Sequence, residues 1–208
     1  VTDSGFSGIF LIATNPVDIM ARITREISGF PKERVIGSGT ALDTARLRYL
    51  LGAYLDVDPR NIHAYVMGEH GDSEFVPWSQ ALLATKPVLQ ICAESDGRLS
   101  VSDLENISTE VREAAYKIID AKKATYYGIG MALTRIVRAI LGGENSVLTV
   151  SACLNGEYGQ KDVYVGVPCI LNQNGVSRIL TLDLPDEEMD KLGKSCDTLR
   201  KSFDELGL

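Results

Sequence analysis

Residues 7–13, SGIFLIA, run apolar and β-branched until Asn15-Pro16 stops them, and this run restricts the architecture more than any other stretch. A continuous rather than alternating apolar segment of strand length suits a strand covered on both faces of a parallel sheet. The segment opens within eight residues of Val1, so the chain reads as entering a fold already under way. Pro16 then starts a helix in which Ile19, Met20, Ile23 and Ile27 recur at helical spacing, and Gly29 and Pro31 stop it.

The remainder reads as a mixed domain. After Val35, Thr40 to Asp43 fits the S/T-x-x-D helix start, followed by Leu47, Leu50, Leu51 and Leu55 on one face. Ile62 to Met67 is a predicted strand ending in the loop GEHGD. A long helix is expected over 101–121, its stripe made of Leu104, Ile107, Val111, Ala114, Ala115, Ile118 and Ile119, and another follows Thr125. From Ser146 the period changes to two, and Asn174-Gly175 turns the chain, which predicts a small antiparallel sheet. A last helix from Pro185 carries Met189, Leu192, Cys196, Leu199, Phe203 and Leu206 as a packing face. The expected class is therefore α/β and α+β: the last β-α piece of a Rossmann-type parallel sheet over 1–35, then a helix and antiparallel-sheet domain over 36–208.

Composition excludes several functions. With 28 Asp+Glu against 21 Lys+Arg the net charge is −7, which opposes nucleic acid and anionic membrane surfaces and requires any anionic ligand to be met by a local basic cluster. No apolar stretch reaches the roughly 18 to 20 residues of a membrane span, and VTDSGFSG has no basic signal-peptide start. A cytoplasmic location is the expectation. Cys92, Cys153, Cys169 and Cys196 form no CxxC pair, so they read as reduced thiols with neither disulfides nor zinc. No GxSxG elbow occurs, Cys169 lies inside an apolar strand pattern, and Gly37-Ser38-Gly39 is followed by Leu42 where a dinucleotide fingerprint needs its third glycine.

The residues left for chemistry are few. His70 sits between glycines in GEHGDSE, where it is either a ligand-facing imidazole or a hydrogen-bonded structural group. His63 and His70, seven apart with no third ligand, make a poor metal pair. Asp43 and Arg46 lie about 60° apart around their helix and share a face, whereas Arg48 lies about 200° from Arg46. Asp43 is either a capping acid for Thr40 or a partner for a histidine, and Arg46 and Arg48 are either surface charges or anion ligands. An acid beside an imidazole holds the ring and raises its pKa, and a guanidinium fork grips a carboxylate through two hydrogen bonds. Such a constellation suits a small carboxylate that gains or loses a proton.

Four motifs, ATNPVDI (13–19), GTALDTARLRYLL (39–51), NIHAYVMGEHGDSEF (61–75) and KKATYYGIGMAL (122–133), taken in order, resemble the L-lactate dehydrogenases of bacterial type. The resemblance runs through essentially the whole chain and implies NAD as cofactor, pyruvate and L-lactate as substrates, and a role in glycolytic fermentation. It makes His70 the proton donor and acceptor, Asp43 its partner and Arg46 the clamp on the substrate carboxylate. Asn15, joined to Pro16 by a cis bond, and Thr14 would meet the cofactor, with Asn15 and Thr125 also lining the substrate pocket. Arg48 and His63 match an effector site for fructose 1,6-bisphosphate shared between subunits of a homotetramer. Glu69 and Thr125 resemble the lactate rather than the malate branch. The family's glycine fingerprint and substrate-selecting loop are expected upstream of Val1. Malate dehydrogenase and an inactive substrate domain stand as the alternatives.

Overall fold

The apolar run that opens the chain folds into less strand than its length suggests: in the computed structural model, which describes residues 1–95, 99–123 and 125–207, β1 spans only Phe10–Ile12. It pairs in parallel with β2 (Val35–Gly37) and has no other neighbour among the described residues. Its residues are half-buried in this chain, where the strand is paired on one side only. Between the two strands, α1 (Val17–Ser28) is closed by Gly29 in the left-handed conformation, the stop that glycine supplies without a Cβ clash. Val17, Ile19 and Ala21 are buried on it, whereas Ile27 is exposed and leaves the expected stripe.

Helix α2 (Ala41–Leu55) follows β2 directly. Leu47 and Leu51 are fully buried and Leu50 and Leu55 pack on them, as their spacing requires. The predicted strand after it reduces to β3 (Ile62–His63), antiparallel to β4 (Leu82–Leu83), which pairs with β5 (Lys86–Pro87). The segment beyond β3 leaves the ladder, and only the bridges Met67 to Phe75 and Gly68 to Gly166 continue it. Helices α3 (Val88–Glu94), α4 (Val101–Lys122) and α5 (Tyr127–Leu141) come next. In α4 the first half of the expected stripe, Leu104, Ile107 and Val111, is buried against α2, while Ile118 and Ile119 are exposed. Ala124 of the fourth motif lies outside the described residues.

Strands β6 (Ser146–Asn155), β7 (Lys161–Asn172) and β8 (Gly175–Ile179) form the expected antiparallel meander. It is not a separate sheet. Gly37 pairs with Ser151 and joins it to the parallel pair, so one mixed five-stranded sheet runs β1-β2-β6-β7-β8. Its centre is buried continuously instead of in alternation, because α1 and the last helix, α6 (Asp186–Asp204), cover one region while α2 and α5 pack elsewhere on it. Leu192, Cys196, Leu199 and Phe203 on α6 are buried, as that packing face predicts, and Leu206 is exposed beyond the helix end. Among the described residues no helix is long and apolar enough to cross a membrane.

Candidate active site

Two threonines set the register between α2 and the loop after β3. Thr40 donates from its hydroxyl to the Val66 carbonyl at 2.7 Å, and the Val66 amide donates to Thr44 Oγ1 at 2.9 Å. Thr44 in turn meets Thr149 on β6 at 2.8 Å. Thr40 therefore does not cap α2 with its side chain, and the capping reading of Asp43 is corrected: the carboxylate is turned to other partners. Two residues further on, Gly68 and Gly166 exchange both backbone hydrogen bonds at 2.9 Å. A Cβ at Gly166 would lie 2.8 Å from the Gly68 carbonyl oxygen, so the approach depends on glycine.

The loop that leaves this bridge carries His70. Its Nδ1–H donates to Asp43 Oδ2 at 2.7 Å, and Arg46 Nη1 donates to Asp43 Oδ1 at 3.1 Å. Asp43 is only 2% exposed, so each carboxylate oxygen has a charged donor and little water. Burial alone pulls His70 down. The hydrogen bond and charge of Asp43, reinforced by Glu74 and Asp18, outweigh it and hold the imidazole up at about 9. The ring is thus protonated at neutral pH, with Nδ1 held by the carboxylate and Nε2 without a protein partner among the described residues.

Three further residues complete the setting, and the sequence reading missed them. The His70 backbone amide donates to Asp18 Oδ2 at 2.9 Å, which brings α1 of the first β-α unit onto the loop. Burial raises the Asp18 carboxyl to about 6 against the neighbouring Ser151 hydroxyl and the His70 amide. From α6, the buried Ser195 accepts from the Glu69 amide at 2.6 Å and meets Ser73 at 3.0 Å. Its signal was available: it is a polar residue beside Cys196 on an otherwise apolar stripe, where a buried hydroxyl requires a partner. Glu74 lies 7% exposed beside the His70–Asp43 pair, with Oε1 unpartnered. The donor atoms of Asp43, His70 and Glu74 fall within 4.8 Å of one another, but His70 Nδ1 and Asp43 are already engaged with each other.

The remaining expected residues are placed less tightly. Thr14 and Asn15 are exposed at the carboxyl end of β1, with a cis bond between Asn15 and Pro16. Thr125 is half-buried just before α5, and no hydrogen bond joins it to His70 among the described residues. Arg48 donates from Nε to the Ala64 carbonyl at 3.0 Å and stands 5.0 Å from the centre of the Tyr65 ring. His63 is exposed on β3, and no hydrogen bond or ion pair links it to Arg48 within the chain. All four cysteines are free, and burial pushes the Cys169 thiol well above its ordinary range, which suits an inert group.

For a dinucleotide, the donor set fits one end only. The free amide of Asn15, both donor and acceptor, stands at the carboxyl end of a parallel strand, where open α/β sheets bind ligands. A glycine-rich turn for the diphosphate does not occur in the sequence.

Comparison with known proteins gives two family matches: the lactate/malate dehydrogenase alpha/beta C-terminal domain over residues 40–206, and the NAD binding domain of the same family over residues 1–37. An L-lactate dehydrogenase 2 of Bacillus cereus (strain ZK / E33L) is 56% identical over 203 residues, 98% of this chain and 64% of the relative. The chain thus spans 64% of that curated relative's length. Among solved structures, a lactate dehydrogenase from a Medee basin deep-sea metagenome library superposes with a TM-score of 0.96 at 50% identity, covering 99% of this chain and 66% of that one. The minor L-lactate dehydrogenase of Enterococcus mundtii in its ligand-bound form gives 0.95 at 49%, covering 99% and 65%.

Proposed function

The chain belongs to the lactate/malate dehydrogenase family, and from that premise we propose that it forms the substrate-binding part of an NAD-dependent L-lactate dehydrogenase interconverting pyruvate and L-lactate. The observation that carries this reading is the buried Asp43 carboxylate, which holds His70 at 2.7 Å on one oxygen and Arg46 at 3.1 Å on the other. One group then positions both the proton donor and the carboxylate clamp. His70, charged at neutral pH, gives its Nε2 proton to the ketone oxygen of pyruvate, and Asp43 stabilises the imidazolium before the transfer. The Arg46 fork keeps N–H groups free beyond its bond to Asp43 and takes the substrate carboxylate. NADH, when bound, supplies the hydride to the carbonyl carbon. Asn15 hydrogen-bonds the substrate oxygen and, with Thr14, the nicotinamide end; Thr125 lines the pocket. Residues 1–35 belong to the cofactor-binding part and 36–208 to the substrate part, in a cytoplasmic enzyme of fermentative glycolysis.

The test joins this chain to the part of the 56%-identical L-lactate dehydrogenase that it does not cover and follows NADH oxidation. Pyruvate-dependent oxidation is expected, with oxaloacetate a poorer substrate, whereas this 208-residue chain alone is expected not to enhance NADH fluorescence. Preference for oxaloacetate would replace the lactate reading with the malate one.

Arg48 and His63 extend the proposal to regulation. They do not meet within one chain, and in a protein of net charge −7 a basic pair gains anion affinity when two subunits bring copies together. In a homotetramer of this kind, fructose 1,6-bisphosphate is expected to lower the pyruvate half-saturation at about neutral pH and to favour the larger assembly. An unchanged half-saturation and oligomer distribution, or a response that survives Arg48→Gln with His63→Gln, would remove the effector site.

A further inference from the structure

Glu74 lies four residues beyond His70 on the same loop, 7% exposed. Its carboxyl lies within 4.8 Å of both the Asp43 carboxylate and the His70 ring. Around it stand Asp43 and Arg46 from α2, Arg112 from α4 and His70 from its own loop, with Asp18 of α1 and Glu69 also at the His70 loop. Two carboxylates this close beside one imidazolium do not both ionise at little cost. They are also not equivalent. Asp43 has a charged donor on each oxygen, whereas Glu74 Oε1 is buried without a partner, so the proton that one of the two must keep belongs on Glu74.

We propose that Glu74 is a positioning residue which stands protonated in the working site and, on losing that proton at alkaline pH, weakens uptake of the substrate carboxylate. The proposal rests on the lactate dehydrogenase reading for its substrate, but not for the protonation itself. Burial first, and then the charge of Asp43, push the Glu74 carboxyl up to about 8, against the opposing pull of His70, Arg112 and Arg46. Because the value is raised, the neutral form prevails below it, and a negative charge appears beside Arg46 only as the pH passes it. That charge repels a bound carboxylate while favouring the charged form of His70. The consequence is a binding effect: the pyruvate KM should rise before kcat falls.

In the protein completed from its relative, the pyruvate KM should rise progressively between about pH 8 and 9, approaching tenfold per pH unit at the limit for loss of one essential proton. Glu74→Gln should remove the onset of that rise near pH 8, ahead of the loss of the His70 proton at about 9, and Glu74→Asp should retain it at a shifted pH. A readout independent of activity is infrared difference spectroscopy at pH 7, above Asp18 at about 6 and below Glu74 at about 8. A protonated-carboxyl band should be present there and vanish in Glu74→Gln. A KM rise in Glu74→Gln that still sets in near pH 8, or no band that the variant removes, overturns the proposal. If the band behaves as expected in a protein that does not reduce pyruvate, the protonated Glu74 stands and the substrate assignment falls.

Discussion

His70→Asn, made in the protein completed from the uncovered part of its relative, is expected to lower pyruvate turnover by roughly 10²- to 10⁴-fold, the range that loss of general acid catalysis produces. Asparagine is close in size and can still donate to Asp43, so the loop need not collapse. What it lacks is a transferable proton. The imidazole carries a proton at neutral pH because Asp43, at 2.7 Å, outweighs the effect of burial and holds the ring at about 9. The raised value also fixes the sign of the pH dependence. Pyruvate reduction needs the charged ring and should decline as pH rises through about 9, while lactate oxidation needs the neutral ring and should gain over the same interval. The extra folding stability linked to His70 runs the same way: it is fully present below the ordinary value of 6.5 and is lost as pH rises through about 9. NADH affinity, measured by fluorescence titration, should change little. Undiminished turnover in the variant would take His70 out of the mechanism.

Arg46→Lys should weaken pyruvate binding by about 1 to 3 kcal/mol, the scale of hydrogen bonds to charged groups, and leave NADH affinity unchanged. Lysine preserves the charge and can keep an ion pair with Asp43, but a single ammonium cannot hold Asp43 with one arm and grip a carboxylate bidentately with the others. One arm of Arg46 is already taken up in this way, since it reaches Asp43 one turn earlier on α2 at 3.1 Å. A pyruvate KM equal to that of the parent would make Arg46 a structural partner of Asp43 and nothing more.

Local periodicity carried most of the architecture. The leucines of α2, the packing face of α6 and the meander of β6 to β8 follow from spacings of three, four and two, because each pattern needs only its own segment to be interpreted. Features decided by a distant segment were misread. The second half of the α4 stripe faces outward although its spacing continues, and Thr40 turns from capping to a carbonyl on another segment. At the site, the shared helical face of Asp43 and Arg46 was visible in a spacing of three. The grip of Asp18 and Ser195 on the histidine loop was not, since each contact spans more than fifty residues of sequence. Glu74 was passed over because a carboxylate in a polar loop gives no sign that folding will bury it.

The paired glycines that bring the histidine loop against β7 restrict how this site can change over evolutionary time. At most tight contacts a larger side chain can be accommodated by a smaller neighbour, so two mutations can succeed where one fails. At Gly166 the nearest obstacles to a Cβ include the Gly68 carbonyl oxygen at 2.8 Å, an atom that every amino acid possesses. A shrinking neighbour cannot remove it. The course of the histidine loop is thereby tied to a main-chain contact that sequence drift can lose but cannot renegotiate, and variation around it falls to the side chains that surround the loop while the crossing itself stays where it is.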